Sequence, residues 1–313
     1  MGKYTIRRIL ISIPILLAVM TLIFFMVRAI PGGPAVAILG DFASQDAIKS
    51  LEKEMGLDAP LYVQYFRFLG GLLQGNLGKS IISGLPISSQ IIRVLPYTLE
   101  LTFSSLLFGV IFGVPLGVLT ALKRNRAFDY IGRTFSLLGI SLPSFVLGIL
   151  LMLLFSIKLD LFPIVGGGDL LNLGDTLYHL FLPSLTLGLM MTAYVTRTTR
   201  SSLLNVLQED YVRTARAKGV RERIVIFRHA LRNALIPVVS FTGVYAILLI
   251  GGTVLVEMVF SRPGLGKMLV GAINQRDYMT AQSVMVVYAM FVVTINLLTD
   301  LSYGLIDSRV RYD

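Results

Sequence analysis

The chain has 313 residues, 55% of them hydrophobic and only 15% charged, against roughly 25% charged in soluble domains. Its mean hydropathy of +0.76 is more apolar side chain than a soluble globule of this size hides. There is no cysteine, the histidines are His179 and His229 alone, and the net charge is +10. These values exclude disordered, disulfide-stapled, thiolate and Cys-type zinc classes, and they predict an integral membrane protein that is not an enzyme.

A membrane helix needs about 20 largely apolar residues. Six stretches qualify, at residues 9–30, 99–122, 131–157, 180–196, 234–258 and 281–306, the fourth being the shortest. Each holds Gly or Pro, which membrane helices tolerate when neighbours re-satisfy the freed backbone. All are too long and unbroken for barrel strands. The first run exceeds a secretory h-region and ends in Arg28–Ala–Ile–Pro–Gly–Gly without a small-x-small site, so an uncleaved first span is expected. Arg28 then lies at the outer interface, where its head can snorkel into water, with Glu100 at the corresponding end of the second span.

Lys and Arg in the connecting segments set the orientation. Residues 1–8, 123–133, 197–232 and 307–313 together hold 18 basic and 6 acidic residues, whereas 31–96, 158–180 and 259–280 hold 9 of each. The first set is therefore cytoplasmic, with both termini inside. The chain divides into a first helix (1–30), an extracytoplasmic cap (31–96) and a five-helix core (97–313). Within the cap, 44–55 reads as a short helix with Ser44 as N-cap and Gly56 as its stop. Tyr62, Tyr65, Phe66 and Phe68 form an aromatic patch after it.

The loop at 197–232 is the largest inner segment. Two helical pieces, about 210–218 and 221–235, flank Gly219, where a left-handed turn suits glycine. Ile224, Phe227, Leu231 and Ala234 form an apolar stripe on the second piece, with Arg221, Arg228 and Arg232 off it. Two readings fit this pattern: interfacial helices on anionic lipid, or a docking element for a soluble partner.

The loop resembles the cytoplasmic "EAA" loop of ABC importer permeases, in which Glu-Ala-Ala is followed by three residues and Gly. The matching positions are Arg213–Thr214–Ala215, then Arg216 to Lys218, then Gly219, with Leu231 further on. YVRTARAKG followed by RHALRNALIP is similar to the variant in dipeptide, oligopeptide and nickel importer permeases. Segments at 29–34, 55–60, 75–80, 95–102, 140–145, 256–266 and 307–312 resemble the same family in order along the chain. The resemblance implies an all-α, six-helix permease of type I ABC importer architecture in a bacterial inner membrane. It implies a second homologous permease, two cytoplasmic ATPase subunits that bind ATP and Mg2+, and an extracytoplasmic substrate-binding protein delivering peptides or a related solute. It makes Arg213, Thr214, Ala215, Arg216, Lys218, Gly219 and Leu231 the ATPase-coupling residues. Arg213 and Thr214 stand where the general pattern has Glu-Ala.

Other motifs carry less. Gly78–Lys79–Ser80 mimics the end of a phosphate-binding loop, but Leu73 occupies the position of the required upstream glycine; Gly266–Lys267 has Ser261 there. No ATP site or other cofactor is expected in this chain. Glu257 reads as an interfacial partner of Arg262, Asp300 as an interhelical hydrogen-bonding group, His179 as an interfacial residue and not a metal ligand, and His229 as a packing or docking residue. The basic charge is used in membrane orientation, so nucleic-acid binding is not expected. Ser141, Pro143 and Ser144, and Pro183 with Ser184, are candidate helix breaks along a translocation path, or ordinary packing positions. The alternatives to a peptide permease are the same role for a nickel or metal chelate, and an ion-driven secondary transporter.

Overall fold

The computed structural model describes residues 2–29, 33–39, 43–54 and 56–306. Ile30, Pro31 and Gly32 of the segment at 29–34, Met55, and the segment 307–312 lie outside the described residues. Among the described residues there is no strand, only the isolated bridge between Lys79 and Pro86. Among the described residues five helices are long and apolar enough to cross a membrane, or six if one bent helix pair is counted as a single broken span. Contacts gather the chain into two units, one centred on Tyr97–Arg262 and the other formed by Ile6–Pro96 and Pro263–Thr294.

In the second unit α1 (Gly2–Arg28) is followed by α2 (Gly33–Leu39), α3 (Gln45–Glu54) and α4 (Leu61–Leu73). The Ser44 hydroxyl accepts the Ala47 amide at 3.2 Å, and Gly56 takes φ +67°, so both expected ends of α3 are present. Tyr65 and Phe68 pack on Phe24, with ring centroids 5.2 and 5.6 Å away, whereas Tyr62 and Phe66 stay exposed. Arg28 does not simply reach for water. Its guanidinium lies 3.5 Å over the Phe24 ring and donates to Gln64 Oε1 at 2.8 Å. The Gly78–Lys79–Ser80 turn is structural: Ser80 is buried and donates to Asp277 at 2.5 Å. α12 (Leu265–Asn274) and the first part of α13 (Tyr278–Ile306) complete this unit. Leu265 and Val284 pack there with Ile87 and Ile91 of α5 (Ile87–Leu122).

In the first unit α6 (Ala127–Ser141) and α7 (Ser144–Met152) replace the single span expected at 131–157. Leu142, ahead of Pro143, is forced to extended backbone at ψ 128°, and the two halves bend by 104°. A π-helical turn, Leu153–Lys158, finishes the second half. The fourth span, expected to be the shortest, is the 34-residue α8 (Leu173–Val206). Its N-terminus is capped by Asn172, whose side chain accepts the Gly174 and Asp175 amides at 3.1 and 3.3 Å. Of the two readings at Pro183–Ser184, a helix break or an ordinary packing position, the helix shows the second. α8 runs through Pro183, which is buried among neighbouring helices that shelter the freed backbone.

After α8 come α9 (Asp210–Ala217), the single turn α10 (Glu222–Ile224), a π-helical turn Val225–Ala230, and α11 (Leu231–Val259). α8 is the hub. Gly109, Gly113 and Gly117 of α5 lie against Met191, Val195 and Thr199 of α8, so tightly that a Cβ on any of them would stand under 3 Å from those side chains. Both triplets recur every four residues, the small-residue spacing that lets membrane helices approach closely. Leu182, Leu187, Met191 and Val195 of α8 meet Val238, Leu249 and Val256 of α11 in the main apolar core.

Two buried polar clusters tie this unit together. Glu257 accepts from the Thr98 hydroxyl at 2.7 Å, and Arg262 donates to Glu100 at 2.9 Å and to the Gly167 carbonyl at 3.2 Å. The expected Glu257–Arg262 link is thus part of a larger cluster with Glu100 as the direct ion partner of Arg262. At the other end of the unit, fully buried Asp129 accepts a bidentate pair from Arg200, at 2.6 and 2.9 Å, plus Arg133 at 2.9 Å and the Asn125 amide at 3.0 Å. This clamp fixes the start of α6 on α8. Asp129→Ala, which strands Arg200, is expected to cost about 3 kcal/mol, while Asp129→Leu with Arg200→Met recovers most of it. Thermal midpoints of the detergent-solubilised protein report both, and an unshifted midpoint for Asp129→Ala would remove the clamp from the account.

Candidate functional site

The candidate coupling residues form a helix–turn–helix on the end of the unit that also carries the Asp129 clamp. α9 is short and amphipathic. Val212 and Ala215 are buried, whereas Tyr211, Arg213, Thr214, Arg216 and Lys218 are exposed. The buried pair packs on Val118 and Ala121 of α5 and Leu203 of α8, with Val225, Ala230 and Ala234 closing the cluster. The Asn233 amide donates to the Tyr211 hydroxyl at 2.8 Å across the two limbs.

The turn is a complete left-handed helix cap. Gly219 has φ +77°, its amide donates to the Arg216 carbonyl at 2.9 Å, and the Val220 amide donates to the Ala215 carbonyl at 3.2 Å. Those are the two bonds of a Schellman motif, and Val220 and Ala215 share the apolar contact that accompanies it. A Cβ at Gly219 would meet nothing within 4 Å, so the demand for glycine is conformational only.

The Arg216 guanidinium then spans the turn to grip Glu222 through two bonds, Nε to Oε2 at 3.1 Å and Nη2 to Oε1 at 2.7 Å. Each partner holds the other charged, raising Arg216 above its ordinary pKa and lowering Glu222 below its own, chiefly through this hydrogen bonding. Both side chains face water, so the pair orients the turn more than it stabilises the fold.

The apolar stripe of the second limb differs from the sequence expectation. Ile224 and Phe227 are exposed, at 42% and 53%, whereas Val225 and Ile226 are buried with Ala230 and Ala234. The π-helical turn at Val225–Ala230 accounts for this, because an i→i+5 turn advances the buried face by one residue. The limb is also no separate helix. Glu222–Val259 runs as one rod of 38 residues, about 57 Å long, against a hydrocarbon core of about 30 Å. The rod is therefore longer than the hydrocarbon core it would cross.

Among the candidate coupling residues, Arg213, Thr214, Arg216, Lys218 and Gly219 thus share the exposed side of the turn, while Ala215 is buried and Leu231 partly so. The candidate path residues divide differently. Ser141 and Pro143 are exposed at the bend, Ser144, Pro183 and Ser184 are buried, and the Ser184 hydroxyl is bonded to that of Ser104 at 2.6 Å. Asp129, Arg200 and the Gly109–Gly113–Gly117 ladder were missed by the motif reading. The four-residue glycine spacing was a legible signal; the Asp129–Arg200 pair, 71 residues apart, left none.

A family model described as the binding-protein-dependent transport system inner membrane component matches residues 113–312. A second model, for the N-terminal part of the same membrane component, matches residues 1–102. The chain belongs to this family. It is an ABC importer permease subunit, multi-pass in the inner membrane. The permease is 45% identical over 313 residues to the glutathione transport system permease protein GsiC of Pectobacterium atrosepticum, covering all of both chains. It is 41% identical over 312 residues to the protein of that name from Escherichia coli K12, again at full coverage. Among solved structures, an inward-facing conformation of the MetNI methionine ABC transporter aligns with TM-score 0.56 at 19% identity, over 70% of the permease and 96% of that chain. An amino acid ABC transporter crystallised with histidines aligns at TM-score 0.53 and 16% identity, over 70% and 94%. These two carry the fold, a type I importer permease.

The Gly219 geometry gives a direct test. Gly219→Ala keeps the space but penalises the left-handed backbone by about 1–2 kcal/mol. Hydrogen exchange at the Val220 amide is expected to speed up about 5–30-fold in that variant; unchanged protection would mean that the cap does not hold the turn.

Proposed function

We propose that this permease forms half of the translocation path of an ATP-driven importer for a small peptide-like solute, glutathione or a related di- or oligopeptide. It pairs with a second permease and couples to cytoplasmic ATPase subunits, which bind ATP and Mg2+, through the turn around Gly219. A substrate-binding protein outside delivers the solute, and both termini face the cytoplasm. The full-length identity of 41–45% to proteins named as glutathione transport permeases carries the substrate reading. The asymmetry of the loops, 18 basic against 6 acidic residues on one face and 9 of each on the other, supports the orientation.

In this reading the exposed side of α9, with Arg213, Thr214, Arg216, Lys218 and Gly219, rests in a groove on the ATPase. Ala215 and Leu231 transmit its movement into the membrane helices, because they pack in one cluster with Val118 and Ala121 of α5 and Leu203 of α8. The Schellman cap and the Arg216–Glu222 grip make the turn stiff enough to pass on a rigid-body displacement.

Affinity purification of tagged chain from native membranes in mild detergent, followed by mass spectrometry, tests the assembly. A second six-span protein and ATPase chains are expected to co-purify, and scrambling residues 210–218 is expected to release the ATPases. Purification of the chain alone, under conditions that keep other importers whole, would overturn the coupling. Gly219→Pro offers a functional counterpart. Proline fixes φ near −65° and removes the amide that Arg216 accepts, so a variant that still inserts and folds is expected to lose uptake; normal uptake sinks the assignment of the turn.

A further inference from the structure

We propose that the α8 face bearing Arg197 is a carboxylate subsite on the translocation path, near the end of the permease that carries α9. The inference rests on the permease reading above and adds to it the place and chemistry of a solute contact. Arg197 is one of several arginines whose side chain makes no hydrogen bond and no ion pair among the described residues; what sets it apart is its place beside two cavities. Three residues on, Arg200 is consumed by Asp129. Arg197 is exposed and lies nine residues, about 14 Å of helix, before the end of α8 at Val206.

The side chain borders two cavities, of about 310 and 380 Å³, and Ser201 borders both with it. The larger opens between α8 and α11. From α8 it takes Tyr194, Thr198, Ser201 and Asn205, spaced by three and four residues and so on a single face. From α11 it takes Phe241 and Tyr245, and Tyr245 stacks on Tyr194 with centroids 4.2 Å apart. In the smaller cavity Arg133 and Arg200 share the charge of Asp129, so Arg197 is the unmatched cation there too.

Arg197 opens the segment that the charge count sets on the cytoplasmic side, so the guanidinium, hydroxyls and amide on this stripe stand at the inner, water-facing end of α8, where they line the two cavities. The volume lies in the range of small-molecule sites. A single unpaired guanidinium selects a carboxylate, hydroxyl and amide groups suit the peptide bonds beside it, and the tyrosine stack offers an apolar wall. The open geometry also suits a route, since a solute held by one charge at a wet site can leave it. Ser184 and Ser144, by contrast, are already packed inside the chain.

The absence of cysteine makes the test direct, because Ser201→Cys places one thiol in this chain. The assembled transporter in nanodiscs is treated with an anionic or a cationic methanethiosulfonate, or with a lipid-soluble maleimide, and labelling of the tagged chain is read by mass spectrometry. Both water-soluble reagents are expected to react, the anionic one faster. Adding Arg197→Gln is expected to lower the anionic-to-cationic rate ratio about tenfold, and Arg197→Lys to preserve it. Millimolar S-methylglutathione is expected to slow labelling, and its dimethyl ester to have no effect. Labelling by the maleimide alone, or a ratio that Arg197→Gln leaves unmoved, overturns the proposal. Protection that follows anionic lipid in the nanodisc rather than the tripeptide also overturns it, in favour of a headgroup site. Retained ATPase chains in the same samples show that the permease assembly itself is not what failed.

Discussion

The first unit of this permease depends on how closely α5 can approach α8. Lipid tails are as apolar as leucine, so membrane helices gain little from merely hiding apolar surface against each other; they associate through shape and through polar contacts. Gly109, Gly113 and Gly117 supply the shape by leaving one stripe of α5 without side chains where Met191, Val195 and Thr199 enter. Once α8 is seated, the remaining contacts follow from it. α6 is brought to the same helix through Gly139 against Ala193, and the Asp129–Arg200 pair fixes its start. α11 packs on α8 through the main apolar core, to which Met191 and Val195 also belong.

The turn around Gly219 inherits that rigidity. Its floor consists of Val118 and Ala121 at the end of α5 and Leu203 near the end of α8, the two helices joined by the glycine ladder. α9 is only eight residues long, too short to be a stable helix alone. It persists because Val212 and Ala215 are buried on that floor and because the Gly219 cap satisfies its last carbonyls. A surface element of this kind keeps its orientation relative to the spans, which a flexible loop of equal charge would not.

What the sequence disclosed followed the range of the interactions concerned. Ser44, Gly56 and Gly219 act within a few residues of themselves, and their roles were readable from local spacing. The spans were readable from length and hydropathy, and the bend at Pro143 from the steric demand of proline on Leu142. Pro183 left two readings open, because the same residue is harmless where neighbouring helices enclose it. The stripe at Ile224 and Phe227 misled because periodicity assumes 3.6 residues per turn, and the π-helical turn breaks that assumption over Val225–Ala230. The Asp129–Arg200 clamp and the Glu100–Arg262 pair join residues 71 and 162 positions apart, and pattern within a window holds no trace of such pairings.

That π-helical turn has a mechanical meaning. A wide turn amounts to one residue inserted into an otherwise continuous rod, and each residue of an α-helix carries about 100° of rotation and 1.5 Å of advance. It therefore sets the phase between Glu222, which Arg216 grips, and the whole length of α11 beyond it. Converting the wide turn to a regular one would spin the gripped end by about 100° against the membrane part of the rod. The π-helical turn thus fixes the rotational register between the Arg216–Glu222 grip and the rest of α11.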